Sequence, residues 1–533
     1  MTTSSLFLAV DCSTTAAKAV LFDGSGSTVA AASRPLDLLQ PQPGRYEQDA
    51  EQWWSATAAA MADVVSRVDA ARIHSLCLTH QRESFVCLDR DGRALRPAIL
   101  WADGRAGAQI SALGSTHRHD LSGKPPDVTP ALYKLAWLRE HEPAVLREAA
   151  RIGDVQAYLA WKLTGRWVTS HASADTLGLF DLRRLTWSAE LLDVAGVRLS
   201  QLPELTAAGA PIGPVRSSVA EALGLPAGRP LPMVAGIGDG QAAGIGADVT
   251  RPGSAYLNLG TSMVLGVQTG SYQHDPAFRT LSGVVPGSYT LETILNSAAY
   301  LAGWFREQFG DVTLAGAPDP ALEAAAAALP PGADGLLTLP YWNAAQTPYW
   351  DADARGATVG WHGGHTRAHL YRSILEAVGF ELRLHLAGLE QATGQRVETL
   401  RAMGGGSRSP LWTQIVADIS QRPVLIGARG EVSALGAAVI ARAAADTQAA
   451  VVAQIATDTR AAADAQAGAG PLDPARSPGF ADRIATAAAA MAGPSRAVLP
   501  RPSSAAAYDQ LFGAYRLLYP QLRPVFARLK TSS

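Results

Sequence analysis

Five glycines surround a single carboxylate in Val234-Ala-Gly-Ile-Gly-Asp-Gly-Gln-Ala-Ala-Gly-Ile-Gly246, and no other stretch restricts the fold so narrowly. Gly236, Gly238, Gly240, Gly244 and Gly246 let the backbone bend and come close to a ligand or to another segment. Gln241 onward reads as a helix of small residues packed tightly against something. Asp239 then falls where an apolar strand gives way to that helix. A carboxylate there suits a base that takes a proton from a substrate hydroxyl; it equally suits a capping residue that opens a buried Gly/Ala helix.

The whole chain has room for such an arrangement. Its 533 residues, 47% hydrophobic and 17% charged, can build several cores, either about three domains or two large ones. A formal net charge of −2 without Lys/Arg clusters argues against nucleic acid or an anionic membrane surface as partner and leaves a small molecule. Cys12, Cys77 and Cys87 show no metal-ligand spacing and are too few for a disulfide scaffold, which fits a reducing compartment. The opening Met-Thr-Thr-Ser-Ser lacks the basic start of a signal peptide, so a cytoplasmic location is expected. Pro252–Gln273 carries no charge, but its Gly, Ser, Thr, Asn and Gln would need partners in lipid and exclude a membrane span.

From the start of the chain, Leu6–Asp11, Ala17–Phe22 and Thr28–Ala32 read as three strands of a meander. The loop Cys12-Ser-Thr-Thr15 offers Ser13, Thr14 and Thr15 as donors to an anion, Lys18 supplies positive charge, and Asp11 can hold a hydrated cation. An ordinary Ser/Thr turn reads the same way. A helix from Ala50 and a strand at Ile73–Thr79 follow. Gln81, Arg82 and Glu83 then sit between apolar strands, where a buried Arg–Glu pair is seldom worth its desolvation. As cleft residues they can grip vicinal hydroxyls, one donating and one accepting; as structural residues they form an ion pair at a sheet edge. Pro97–Arg105 likewise delivers Trp101, Asp103 and Arg105 to one end of a strand, an aromatic face beside a carboxylate that suits a sugar.

Asp11–Lys18, Gln81-Arg-Glu83, Pro97–Arg105, Tyr133-Lys-Leu-Ala-Trp-Leu138 and Gly236–Ala243 resemble, in this order, segments of the FGGY family of carbohydrate kinases. Tyr256-Leu-Asn-Leu-Gly-Thr-Ser262 is similar to the family's second phosphate loop, Leu339–Gly356 to its turn segment, and Gly404-Gly-Gly-Ser-Arg-Ser-Pro-Leu-Trp412 to its adenosine loop. So many motifs in order are very unlikely by chance. The resemblance implies an α/β fold of two actin-like (ribonuclease H-like) ATPase domains around a central cleft. It implies ATP and Mg²⁺ as cofactors, with Asp239 as catalytic base and Asp11 toward the metal. Gln81, Arg82, Glu83, Trp101, Asp103, Asp239 and Gln241 form the implied sugar set. Ser13, Thr14, Thr15, Lys18, Gly260, Thr261, Ser262, Gly404, Gly405, Gly406 and Ser407 form the nucleotide set.

Within the family the motifs are mixed. Gln81–Glu83 and Pro348-Tyr-Trp-Asp351 look like glycerol kinases, whereas Gly404–Trp412 and Pro97–Arg105 look like xylulokinases. Two side chains that glycerol kinases place at the substrate correspond to Thr129 and Gly240, which widens the pocket toward a ketopentose such as xylulose. Glycerol phosphorylation, or a catalytically silent sugar-binding relative, are the alternatives. Ser13 replaces a customary glycine in the first loop. The expected boundaries are 5–248 for a sugar-binding domain, 254–445 for a nucleotide-binding domain, 446–500 for an alanine-rich insertion and 501–533 for a docking helix that Pro520 stops. Asp248–Gly253 is the hinge candidate, and a homodimer is allowed for.

Overall fold

The computed structural model describes residues 5–314, 317–457 and 479–529. The first sheet has six strands, in the order Pro211–Pro214, Pro232–Gly238, Ile73–His80, Leu6–Cys12, Ala16–Asp23 and Thr28–Pro35. The last three form the expected antiparallel meander. Ile73–His80 runs parallel to Leu6–Cys12 on one side and to Pro232–Gly238 on the other. Their ends are in register, Cys12 opposite His80 and Gly238 opposite His80. The residues that follow, Ser13, Gln81 and Asp239, therefore emerge along one edge, which is where open α/β sheets bind ligands.

The second sheet repeats the plan with seven strands, in the order Arg279–Ser282, Tyr289–Leu295, Met263–Thr269, Ser254–Leu259, Thr399–Met403, Val424–Gly427 and Ser495–Val498. Ser254–Leu259 turns antiparallel into Met263–Thr269 through Gly260–Ser262 and runs parallel to Thr399–Met403. The two α/β domains anticipated from the sequence are thus present, each with its own apolar core.

A third core lies between sheet and helix in an unexpected place. The helix Val432–Thr457 follows the second sheet in sequence, yet Ala434, Leu435, Ala438 and Val439 pack on Phe7, Ala9, Val20 and Cys77 of the first sheet. There it crosses the Asp239–Gly246 helix at backbone contact distance. A Cβ on Gly246 would stand 2.1 Å from the Val432 carbonyl oxygen, and one on Gly436 would stand 1.9 Å from that of Ala242. This closeness, with no side chain between the helices, accounts for two of the glycines, since neither position tolerates even a methyl group.

Two readings differ in the structure. The 446–500 stretch is not set apart from the domains: the Phe480–Ala492 helix buries Phe480, Ile484 and Met491 in that third core, and Ser495–Val498 pairs with Val424–Gly427 as an edge strand. The middle of that stretch lies outside the described residues. Pro520 does not stop the C-terminal helix, which runs from Pro502 to Arg528 with Pro520 and Pro524 inside it. Each internal proline costs about 3 kcal/mol, and burial of Tyr508, Tyr515, Tyr519 and Phe526 against the second core offsets it. Asp248, in the hinge candidate, adopts a left-handed φ of 62° and pairs with Arg401 at 2.8 Å. Among the described residues no helix is long and apolar enough to cross a membrane.

Candidate active site

Asp239 is the first residue of its helix, which Gly238 caps in an extended conformation. Its Oδ1 accepts the Gly240 N–H at 2.7 Å and faces Arg82 Nε at 3.1 Å, and its side chain remains 38% exposed. Arg82 and Glu83 follow the central parallel strand, and Glu83 holds a left-handed φ of 65°. For a residue with a Cβ this conformation costs of order 1–3 kcal/mol and is commonly tolerated at functional sites.

Beneath these residues lies an ion network that joins the two domains. Arg82 Nη1 donates to Glu292 Oε1 and Oε2 at 3.1 Å each, and Arg279 binds the same carboxylate through Nε at 2.8 Å. Arg279 Nη1 also reaches across to Glu83 Oε1 at 2.7 Å. The Tyr256 hydroxyl donates to Glu292 Oε2 at 2.7 Å. Burial alone would raise the Glu292 carboxyl, but the Arg82 and Arg279 charges and the tyrosine hydroxyl outweigh it and hold the group down at about 2. Gly240 makes room for this network: a Cβ there would lie 2.7 Å from Arg82 Nη2 and 2.9 Å from Glu292 Oε2.

These groups wall a cavity of about 220 Å³ together with Thr14, Trp101, Thr129, Asn258, Ser262, Asn296 and Gln346. Trp101 is fixed by donating Nε1–H to Thr14 Oγ1 at 3.0 Å. From the helix Ala131–His141, the buried Lys134 ammonium donates to the Trp101 and Thr129 carbonyls at 2.9 Å each and so holds two wall residues at once. Burial lowers the Lys134 ammonium to about 8, with the Glu83, Asp103 and Asp127 charges resisting.

Three members of the implied sugar set do not reach this cavity. Gln81 is buried, with Nε2 donating to Gln48 Oε1 and Oε1 accepting from Ser84 and Thr14. Asp103 is wholly buried and engaged by the Tyr46 N–H at 2.7 Å and the Arg105 Nε–H at 2.7 Å, which leaves no oxygen for a ligand. Gln241 donates to the carbonyls of Ala172 and Ser282, tying the first domain to the second. Each satisfies protein backbone or side chains where the sequence offered only its position beside a motif.

A second cavity, of about 670 Å³, shares Ala243, Asn258 and Ser433 with the first and is walled by Lys18, Gly404, Gly405, Ser407, Arg408, Gly430 and Gly493. Gly404 has φ 83°, and a Cβ on it would meet Asn258 Oδ1 at 2.4 Å. Gly406 packs under Trp412 instead of on the cavity wall. The Gly260 and Thr261 carbonyls accept the first N–H groups of the Ala299–Phe309 helix, while Ser262 faces the first cavity. Ser13 closes its own turn by donating Oγ–H to the Ala16 carbonyl at 2.9 Å, and Thr15 is exposed. Lys18 forms an ion pair with Glu431 at 2.8 Å between the strand Ala16–Asp23 and the loop before the crossing helix.

Asp11 has an Oδ1 that is buried without a hydrogen-bond partner. Burial and then the nearby Asp239 charge push its carboxyl up to about 7, against Lys18. A buried carboxylate close enough to feel the charge of the cavity-lining Asp239 fits Mg²⁺, which takes one or two carboxylates and completes its shell with water and phosphate. Among the described residues no group of three or more His, Cys, Asp or Glu side chains forms a fuller metal cage.

The site contains residues that sequence reasoning missed: Arg279, Glu292, Tyr256, Asn258 and Lys134. Arg279 and Glu292 carried a usable signal, since each is a lone charge in an otherwise uncharged strand, Arg279–Ser282 and Tyr289–Leu295.

Two repeated α/β lobes with a glycine-lined cavity and a carboxylate-lined cavity, both walled by residues of the two lobes, define a two-lobed phosphotransferase architecture. The chain belongs to the FGGY family of carbohydrate kinases: the family's N-terminal domain matches residues 6–246 and its C-terminal domain residues 255–445. It is 30% identical to the xylulose kinase of Escherichia coli K12 over 83% of this chain and 91% of that one. It is 32% identical to the glycerol kinase of Geobacter sp. M21 over 81% and 89%. The crystal structure of xylulose kinase from Rhodospirillum rubrum superposes with TM-score 0.81 at 30% identity, covering 98% of this chain and 99% of that one. The protein is therefore an ATP-dependent sugar kinase with the actin-like fold, and its family works with Mg²⁺.

Proposed function

We propose that the chain phosphorylates a hydroxyl of a ketopentose such as xylulose, with Asp239 as the general base and the sugar held in the smaller cavity. The observation that carries this reading is Thr129, a small residue on that cavity's wall where a larger side chain would fill the space; the space beside Gly240 is taken up by Arg82 and Glu292. Arg82 and Glu83 bind hydroxyls as donor and acceptor, and Trp101 offers its face to the carbon chain. The larger cavity holds the nucleotide, with Gly404, Gly405 and Ser407 against it and Ser13–Thr15 and Gly260–Ser262 toward the phosphates.

The Asp239 carboxylate takes the proton of the attacking hydroxyl, whose oxygen bonds to the γ-phosphorus as the bond from that phosphorus to the bridging oxygen breaks and ADP leaves. Mg²⁺ would be held by Asp11 with Asp239 beside it and would supply neutralisation of phosphate charge. Arg82 keeps Asp239 turned toward the acceptor, and Arg82 in turn is fixed by Glu292. ADP release measured with xylulose, ribulose, erythritol, gluconate and glycerol in the presence of ATP and Mg²⁺ tests the substrate. A ketopentose should give the highest kcat/KM; a clear preference for glycerol would overturn the ketopentose reading, and ADP release stimulated by none of the five would overturn the proposed chemistry.

A further inference from the structure

The two cavities meet at a wall made of Ala243, Asn258 and Ser433, of which Asn258 and Ser433 carry polar side chains. Thr14, Arg82, Asp239 and Ser262 line the smaller cavity alone, and Lys18, Ser407 and Glu431 line the larger alone. A phosphoryl group that leaves a nucleotide in one cavity for a hydroxyl in the other has to pass this shared wall. The attacking oxygen must come within about 3–3.5 Å of the phosphorus, so the group stands between both ligands when it reacts.

The strand Ser254–Leu259 aims Asn258 at that passage. Successive side chains of a strand point to opposite faces, and Ala255, Leu257 and Leu259 are buried in the core of the second lobe. Tyr256 and Asn258 therefore share the other face, where Tyr256 packs with Ala243 of the helix that Asp239 begins. Neighbouring strands hold this one on both edges, Met263–Thr269 on one side and Thr399–Met403 on the other. The Asn258 amide lies beside two glycines of the implied nucleotide set: a Cβ on Gly260 would stand 3.3 Å from Oδ1, and one on Gly404 2.4 Å. Neither Oδ1 nor Nδ2 has a hydrogen-bond partner among the described residues, and neither is sealed away from open space. An amide that nothing holds can turn its two N–H donors to an anion. Donors already in place where charge spreads over the oxygens of a transferring phosphoryl group need no reorganisation at the moment of reaction.

We infer that Asn258 is a catalytic residue that donates to the phosphoryl group as it passes from the nucleotide to the sugar. A bond forms between the sugar oxygen and the γ-phosphorus, the bond to the bridging oxygen breaks with its electron pair left on ADP, and the hydroxyl proton goes to Asp239. Asn258 neither gains nor loses a proton. The inference rests on the proposed placement of sugar and nucleotide, and it deepens that reading by naming a side chain of the second lobe at the reacting phosphorus.

The test compares wild type with Asn258→Ala and Asn258→Asp, the second of which keeps the size of the side chain but sets a carboxylate against the phosphate. Titration calorimetry with Mg²⁺ measures the affinity for ADP and for the β,γ-imido analogue of ATP; no sugar is present, so the result does not depend on which sugar is the substrate. Affinity for the analogue should fall about tenfold or more in Asn258→Ala, the worth of a hydrogen bond to a charged group, and further in Asn258→Asp. Affinity of Asn258→Ala for ADP, which lacks the γ-phosphoryl, should stay within twofold of wild type. With the best sugar, kcat should fall about 10²-fold, as on removal of one preorganised donor. Gly405→Phe reports on the placement itself: Gly405 lines the larger cavity alone, and an added Cβ meets nothing nearer than Arg408 Nη2 at 4.0 Å, so the ring fills that cavity and should abolish binding of both nucleotides. Unchanged ADP affinity in Gly405→Phe overturns the placement and the inference with it. If Gly405→Phe has lost ADP but the analogue-to-ADP affinity ratio of Asn258→Ala stays within twofold of wild type, the role of Asn258 alone is overturned. Failure of both Asn258 variants to fold overturns it too, by making the residue structural.

Discussion

Replacing Gly436 by alanine places a methyl group where the crossing helices touch. Its Cβ would stand 1.9 Å from the Ala242 carbonyl oxygen and 2.6 Å from its carbonyl carbon, both backbone atoms that cannot rotate away. Ordinary contact requires the helices to part by about 1.5 Å, and overpacking of this kind costs ~1–3 kcal/mol. Alanine's better helix propensity returns less than about 1 kcal/mol of that. The larger effect falls on chemistry, because Ala242 belongs to the helix that Asp239 begins. A misplacement of about 1 Å at a catalytic group costs on the order of 10²-fold in rate. Gly436→Ala should therefore melt a few degrees lower and turn over roughly 10²-fold more slowly, although residue 436 touches neither cavity. Gly303→Ala serves as control, since Gly303 lies in the Ala299–Phe309 helix with no heavy atom nearer than 3.8 Å to the added Cβ. It should be neutral or slightly stabilising. Calorimetry and ADP-release kinetics on the three proteins decide the matter. A Gly436→Ala protein with wild-type melting temperature and turnover would refute the argument that this crossing sets the position of Asp239.

Other expectations concern substrate binding, pH and motion. Glu83→Ala should raise the sugar KM while leaving the KM for ATP nearly unchanged; equal effects on both would make the residue structural. Glu381 is buried under the C-terminal helix, where Tyr341 and Tyr515 donate to its Oε1, and burial raises its carboxyl to about 7 despite them. Because the folded state then holds this proton to higher pH than the unfolded chain, the group's stability contribution is present below the ordinary carboxyl range and is lost as pH rises to about 7. The loss amounts to ~3 kcal/mol. Denaturant unfolding at pH 5 and pH 8 should show wild type losing that much relative to Glu381→Gln, and a difference independent of pH would contradict the assignment. Three ion pairs, Lys18–Glu431, Arg82–Glu292 and Glu83–Arg279, join the lobes across the cleft. Small-angle scattering should give a smaller radius of gyration with sugar plus a non-hydrolysable ATP analogue than with neither, and no change at demonstrated occupancy would oppose closure.

Local signals in the sequence were the ones that could be read. The meander Leu6–Pro35, the strand Ile73–His80 and the glycine stretch at 234–246 announce themselves through apolar runs and turn residues, and their order carries the family resemblance that implies the two-lobed fold. What the sequence concealed depends on distant partners. Nothing near Val432 says that its helix returns to the first sheet, because an alanine-rich helix suits either lobe. Asp103 stands between a tryptophan and an arginine as a sugar ligand would, and only its geometry shows that Tyr46 and Arg105 engage it completely. Arg279 and Glu292 lie far from every quoted motif and meet Arg82 and Glu83 only when the lobes come together. Pro520 reads as a helix stop because the cost of an internal proline is local, whereas the aromatic burial that outweighs it is tertiary.

Asp239→Asn tests the central assignment most directly. Asparagine keeps the volume of the side chain and its place at the start of the helix, but it cannot take the proton of an attacking hydroxyl. With the best sugar of the substrate panel, kcat should fall by roughly 10²–10⁴-fold, the usual worth of a positioned general base. Nucleotide affinity measured by titration calorimetry and the melting temperature should remain close to wild type. Turnover within a few-fold of wild type in this variant would contradict the assignment of Asp239 as the base.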